Sequence, residues 1–393
     1  MSNSLMATYS PLPISFTHGE GVWLWDEQGR KYLDALSGIA VCGLGHAHPK
    51  LSEALAAQAS RLLHVSNIYH IPEQEALGQQ LCALADMDKV FFCNSGAEAN
   101  EASIKLARLY GHQRGYEIPK IIVMENSFHG RTLATLSATG NPKVQAGFEP
   151  LVEGFIRVPF KNLSAIKEVA ESHADIAAVL LEPIQGEGGV NAADDEYLKN
   201  LRQLCDEHGW LMMLDEVQTG AGRTGKWFAF QHTDIQPDVM NLAKGLGNGI
   251  PIGACLARGE AAEIFAPGKH GSTFGGNPFA SVAAKTVLDI IEDENLLGNA
   301  ARQGEYLLNG FRENLGDLNG IVDIRGKGLM IGIELDRPCA ELVKQALETE
   351  DILINVTAGK VVRLLPPLVL DHSQADEIIS RVSRLILNFL NEN

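Results

Sequence analysis

Apolar and polar positions alternate along the chain in two different textures. From about residue 89, apolar runs of four to six residues recur at 90–93, 121–124, 177–181, 211–214, 239–242 and 253–257, with stretches of helical period between them. A strand apolar at every position, not every second one, is covered on both faces, so these runs predict an α/β unit with a mostly parallel sheet between helices. A helix is predicted over 49–63 and another over 278–291. Beyond it the texture changes, with helices expected at 296–315, 340–351 and 373–390 around short strands at 321–324, 328–335 and 361–365. That pattern predicts a second, smaller α+β domain. The alternating stretch 21–34, turning at 27–29, reads as a hairpin that completes it. The expected division is therefore 1–48 as an N-terminal contribution to the small domain, 49–292 as the large domain and 293–393 as the small one.

Length agrees with this division, since single cores rarely grow past roughly 250–300 residues and the chain has 393. A hydrophobic content of 45% with 21% charged residues is that of a globular protein, not a disordered one. The net charge of −17, with no basic cluster to offset it, argues against nucleic acid and anionic membranes as partners. No apolar run approaches the roughly 18 residues of a membrane span. The N-terminus has neither the basic start nor the apolar core of a targeting peptide, so a cytoplasmic location is expected. The six cysteines form no close pair, and His46 and His48 have no third ligand at recognisable spacing; no metal is expected.

Candidate chemistry collects just after the predicted strands, where open α/β sheets bind ligands. Ser95, Gly96 and Ala97 pass from strand to helix and leave backbone N–H groups suited to a phosphate, although a plain serine cap would look the same. Phe128 offers a ring to stack on, and Arg131 a planar fork for a carboxylate; the intervening His129 suggests no role. Glu182 and Glu187 sit on a loop rich in proline and glycine. Asp215 ends an apolar strand as a strand cap would, or as an acid placed to keep a pyridine ring cationic. Lys244, alone, would be read as a surface charge. Downstream of Asp215 it becomes a candidate to hold an aldehyde cofactor as an imine. The stretch 270–278 adds hydroxyls for a second phosphate contact.

The ordered set Ser95-Gly-Ala-Glu-Ala-Asn, Phe128-His-Gly-Arg, Glu182-Pro-Ile-Gln-Gly-Glu-Gly-Gly, Asp215-Glu-Val-Gln, Lys244-Gly-Leu-Gly and Gly271-Ser-Thr-Phe-Gly-Gly-Asn-Pro resembles the class III, ornithine-type pyridoxal-phosphate aminotransferases over almost the whole chain. The resemblance implies a fold type I transferase with a seven-stranded sheet, pyridoxal 5'-phosphate as cofactor, and a homodimer with shared active sites. It implies Lys244 as the cofactor-bearing amine and Asp215 as partner of the ring nitrogen. Phe128 would stack on the ring, Val217 and Gln218 would lie beside it, and Ser95, Gly96 and Ala97 would hold the phosphate, with Thr273 arriving from the other subunit. Arg131, with Ser272 nearby, would receive a substrate carboxylate. Arg363 would take the α-carboxylate of glutamate and Glu187 would mask it, as a partly solvated ion pair. Ala97 stands where many relatives carry threonine, which removes a hydroxyl but no backbone donor. The implied reaction moves the terminal amine of N2-acetylornithine to 2-oxoglutarate. Ornithine, succinyl-diaminopimelate or 4-aminobutyrate as donor, a semialdehyde aminomutase, or a non-catalytic protein of the same fold remain alternatives.

Overall fold

The computed structural model describes residues 4–392; the outermost positions of the two terminal ranges, 1–3 and 393, lie outside them. Its central sheet has seven strands in the order Lys89–Cys93, Gly253–Ala257, Val239–Leu242, Leu211–Asp215, Ile176–Leu181, Lys120–Met124 and Phe155–Val158. All neighbours run parallel except Gly253–Ala257, which is antiparallel to both of its own. Every residue of Ile176–Leu181 and Leu211–Asp215 is buried. The strand period of two sends Met212 and Leu214 into one core, with Leu77, Leu81 and Leu201, and Leu211 and Met213 into the other, with Ile104, Leu106 and Tyr110. This two-sided burial is why the runs read as continuous rather than alternating.

The six apolar runs are all strands. The seventh, Phe155–Val158, escapes a search for such runs because Arg157 interrupts it. At the sheet edge that charge costs little, and its guanidinium donates to the carbonyl oxygens of Ser137 (2.8 Å) and Thr139 (3.0 Å). The helix Pro72–Ala85 has no counterpart among the expected elements, and the first predicted helix ends earlier than expected, at Ala59.

A second sheet of four antiparallel strands follows the order Ile321–Lys327, Met330–Leu335, Val361–Leu364, Asn355–Thr357. The N-terminal strands Phe16–Glu20, Trp23–Asp26 and Lys31–Asp34 form a meander, and Ile352–Leu353 adds to it parallel to Lys31–Asp34. One core joins Val22 and Leu33 of this meander to Phe311, Ile331, Val362 and Ile378. Chain ends that are distant in sequence thus share one hydrophobic interior.

Candidate active site

A cavity of about 390 Å³ opens beyond the carboxyl ends of the parallel strands. Of the expected residues, Ser95, Gly96, Ala97, Phe128, Arg131, Glu187, Asp215, Val217, Gln218 and Lys244 line it. Each follows or ends a strand, so the sheet itself sets their spacing.

One end of the cavity is the start of the helix Gly96–Gln113. Ser95 caps it, its Oγ accepting from Glu98 N at 3.2 Å, while the first helical N–H groups at Gly96 and Ala97 have no partner among the described residues. Close approach is required here: a Cβ on Gly96 would come within 2.7 Å of Val217 Cγ1. Those free donors, at the positive end of a helix eighteen residues long, fit a phosphate group.

The deep wall is a buried polar chain. Asp215, 4% exposed, accepts through Oδ2 from Asn100 Nδ2 (2.7 Å), pairs there with His129 Nδ1 (2.8 Å), and accepts through Oδ1 from Val217 N (3.1 Å). Asn100 in turn accepts from Asn241 Nδ2 at 2.8 Å, on the adjoining strand, where Asn241 lies in register with Asp215. This is not the pattern of a strand cap facing water. It is a carboxylate locked in place, suited to a cationic ring nitrogen. His129 and Asn100 are the residues sequence reasoning missed. Their only signal was position: both lie inside recognised motifs, but their partner is 86 and 115 residues away.

Lys244 occupies a left-handed conformation, φ 44°, rare for a residue with a side chain and typical of positions where function holds the backbone. Burial lowers the pKa of its amine, opposed by Glu187 and reinforced by the charge of Arg363. A lowered pKa leaves more of the amine free to act as nucleophile and base. Burial, and next the charge of Asp215, push the Glu182 carboxyl well above its ordinary range, although Phe128 N (3.1 Å) and Gly186 N (3.4 Å) donate to it.

The mouth differs. Arg131 is exposed, its guanidinium 5.8 Å from the centre of the Phe128 ring, and it makes no ion pair among the described residues. Arg363 does not line the cavity but reaches two residues that do, donating from Nη1 to Glu187 Oε1 (2.7 Å) and Gln218 Oε1 (3.3 Å), while Nη2 donates to Asn355 Oδ1 (2.8 Å). The expectation of a partly solvated pair holds for one member only: the Glu187 side chain is 40% exposed and that of Arg363 is 0% exposed. The strand Val361–Leu364 is buried throughout, which is why its arginine is enclosed.

Ser272 and Thr273 do not line this chain's cavity. Ser272 Oγ accepts from Asn94 Nδ2 (3.2 Å) and Gly275 N (3.0 Å), and Thr273 is exposed. Among the described residues no cluster of histidine, cysteine, aspartate and glutamate is placed to hold a metal.

Comparison with known proteins agrees with this geometry. The family model for class-III aminotransferases matches residues 5–386. The acetylornithine aminotransferase of Nitrosomonas europaea is 60% identical over 98% of this chain and 98% of its own, and that of Aquifex aeolicus 49% identical over 97% and 99%. Among solved structures, the ornithine aminotransferase of Toxoplasma gondii superposes with a TM-score of 0.95 at 33% identity, covering 99% of this chain and 94% of that one. The acetylornithine aminotransferase of Elizabethkingia anophelis gives 0.86 at 37%, covering 98% and 96%. With the fold, the locked acid, the strained lysine and these relatives in agreement, the chain belongs to the class-III aminotransferase family.

Proposed function

We propose that the protein moves the terminal amino group of N2-acetylornithine to 2-oxoglutarate, giving N-acetylglutamate semialdehyde and glutamate, as a step of arginine biosynthesis, with pyridoxal 5'-phosphate as cofactor. The observation that carries this reading is the pair of unlike arginines at one mouth, Arg131 open and Arg363 covered by Glu187. The family and the names of the relatives support the substrate.

The residues present fit the cofactor: free N–H groups at Gly96 and Ala97 for its phosphate, Phe128 for its face, Val217 and Gln218 beside the ring, and Asp215 for its nitrogen. When bound, it supplies an electron sink for the carbanion left at the reacting carbon. Asp215, held at both oxygens, keeps a negative charge fixed against that ring. Lys244 Nζ removes the proton from the reacting carbon of the substrate and later returns one, which its lowered pKa favours. Arg131 holds the carboxylate at the far end of acetylornithine through its planar fork. Acetylornithine has no carboxylate on its reacting carbon, so Arg363 stays neutralised by Glu187. Glutamate does carry one. It displaces Glu187, whose exposed side chain moves into water at small cost, while Asn355 and Gln218 keep Arg363 in place.

We also propose a homodimer. Its support is an apolar surface at Leu62, Leu63, Ile68, Tyr69 and Phe274, between 43% and 84% exposed, around a loop that carries Ser272 and Thr273. Asn67 Nδ2 donates to the carbonyl oxygens of Ser272 (3.0 Å) and Gly275 (3.1 Å) and holds that loop for a partner's phosphate site. The division into 1–48 with 293–393 against 49–292 is supported by the pairing of Lys31–Asp34 with Ile352–Leu353. No helix among the described residues is long and apolar enough to cross a membrane, and all six cysteines are unpaired; both support a cytoplasmic place.

The test is to mix purified holoenzyme with one amine donor at a time and follow the cofactor absorbance. Acetylornithine and glutamate should each convert it fastest. A faster conversion by ornithine, succinyl-diaminopimelate or 4-aminobutyrate would replace the donor named here.

A further inference from the structure

The loop that follows Asp215 contains a buried cation that the mechanism above does not use. Arg223 is 2% exposed and makes no ion pair among the described residues. Its Nη1 donates to the carbonyl oxygens of Leu329 (3.1 Å) and Pro366, and its Nη2 to Ser37 Oγ at 3.5 Å. Its own carbonyl accepts from Leu329 N at 2.9 Å, so Leu329 is gripped through both of its backbone polar groups. Ser37, itself fully buried, passes the contact on by donating to Leu365 O at 2.6 Å.

These grip points are not scattered. Leu329 immediately precedes the strand Met330–Leu335, and Leu365 and Pro366 immediately follow Val361–Leu364. The two strands are antiparallel, with Ile331 opposite Leu364, so both contacts fall at one end of one strand pair. Arg363 lies on that pair, opposite Gly332. At the other end of the arginine's own loop stand Asp215, Val217 and Gln218, which line the cavity. The fit is close on both sides: Gly328 has φ +53°, and a Cβ there would lie 2.7 Å from Arg223 O and 2.5 Å from Thr224 C. A charge enclosed without a carboxylate partner is costly, and Nη1 and Nη2 are met by main-chain oxygens and a hydroxyl of segments that must be held together, while the buried Nε has no hydrogen-bond partner among the described residues. Burial lowers its pKa only to about 10, so the fork stays charged at neutral pH.

We infer that Arg223 is a positioning residue that sets where Arg363 stands relative to the Asp215 wall, and so tunes capture of the substrate with a carboxylate on its reacting carbon. The inference rests on the reading of Arg363 as the α-carboxylate receptor. Lysine cannot replace it fully, because a point charge on a flexible stem does not span three acceptors as a planar fork does. Small displacements matter because a fork engages a carboxylate productively only when both partners are aligned.

The test uses holoenzyme of Arg223→Gln, Arg223→Lys and Ser37→Ala, with Arg363→Gln as reference, and single-turnover kinetics for glutamate and for acetylornithine. In Arg223→Gln the half-saturating glutamate concentration should rise about tenfold with the maximal rate within about threefold, while that for acetylornithine changes less than about twofold. Arg223→Lys and Ser37→Ala should shift the same constant in the same direction by smaller factors, and they carry the test if the glutamine variant does not fold. Equal loss with both donors, or no change with either, would overturn the inference. If Arg363→Gln itself fails to separate the two donors, the receptor reading falls and takes this inference with it. If Arg363→Gln separates them and the Arg223 and Ser37 variants do not, only the positioning role is lost.

Discussion

The wall and the mouth of the cavity use the same kinds of charged group in opposite ways. At the wall, Asp215 is 4% exposed and held by three donors from three segments. At the mouth, Glu187 is 40% exposed, and its carboxylate is held by one arginine. A carboxylate buried among fixed donors has one position and one charge, which suits a group that must polarise the same ring in both half-reactions. A carboxylate at the water boundary can leave its partner at little cost, which suits a group that must be present for one substrate and absent for the other. In the proposed mechanism, burial separates what is constant in the reaction from what alternates.

The sharpest way to break this comparison is to remove the group that both regions serve. Lys244→Ala should fold and bind the cofactor through its phosphate and ring contacts, with turnover down by at least about 1000-fold and no cofactor fixed to the chain by borohydride. Near wild-type transamination would remove Lys244 from the centre of the site.

Next comes the wall. Asp215→Asn keeps the shape and loses the charge, so the proton-removal step should slow by about 100-fold, or about 2.7 kcal/mol, and by a similar factor with either donor. A donor-dependent loss would mean that the wall is not the constant element described above.

The mouth should respond differently. Arg131→Lys keeps charge without the fork, and the half-saturating concentrations of acetylornithine and 2-oxoglutarate should both rise by about tenfold, with a simple alkyl amine unaffected. Damage to all donors alike would make Arg131 structural.

The smallest expected effect is the most selective. Glu187→Gln should leave Arg363 uncovered, sparing or improving the glutamate half-reaction while slowing that with acetylornithine by a few-fold, about 1 kcal/mol, in single-turnover measurements. Equal slowing of both would end the switch.

How much of this could be read from the chain alone depends on the range of the interaction. The five inner strands were legible because two-sided burial leaves its mark on consecutive residues, the edge strand Lys89–Cys93 because its run from Val90 to Cys93 is unbroken, and the candidate lysine, acid, ring and phosphate loop because each sits in a short motif at a strand end. The edge strand Phe155–Val158 was not, since an edge tolerates Arg157 and the run is broken. The locking of Asp215 was not either: Asn100 and His129 meet it, and Asn241 meets Asn100, only because the sheet order sets their strands and helix side by side.

By itself, then, the sequence determined the layered architecture, the residue types at the strand ends and the family they resemble, because local periodicity and motif spacing depend on near neighbours. Only the tertiary structure decided which charges are enclosed. Arg363 and Arg223 look alike in the sequence to an exposed arginine such as Arg131, yet both are buried and Arg131 is open. The difference lies in what packs over them from elsewhere in the chain: Glu187, Gln218 and Asn355 over one, and Ser37, Leu329 and Pro366 over the other. Desolvation is a property of the assembled surroundings and not of the residue, and it is what separates the two enclosed arginines from the open one.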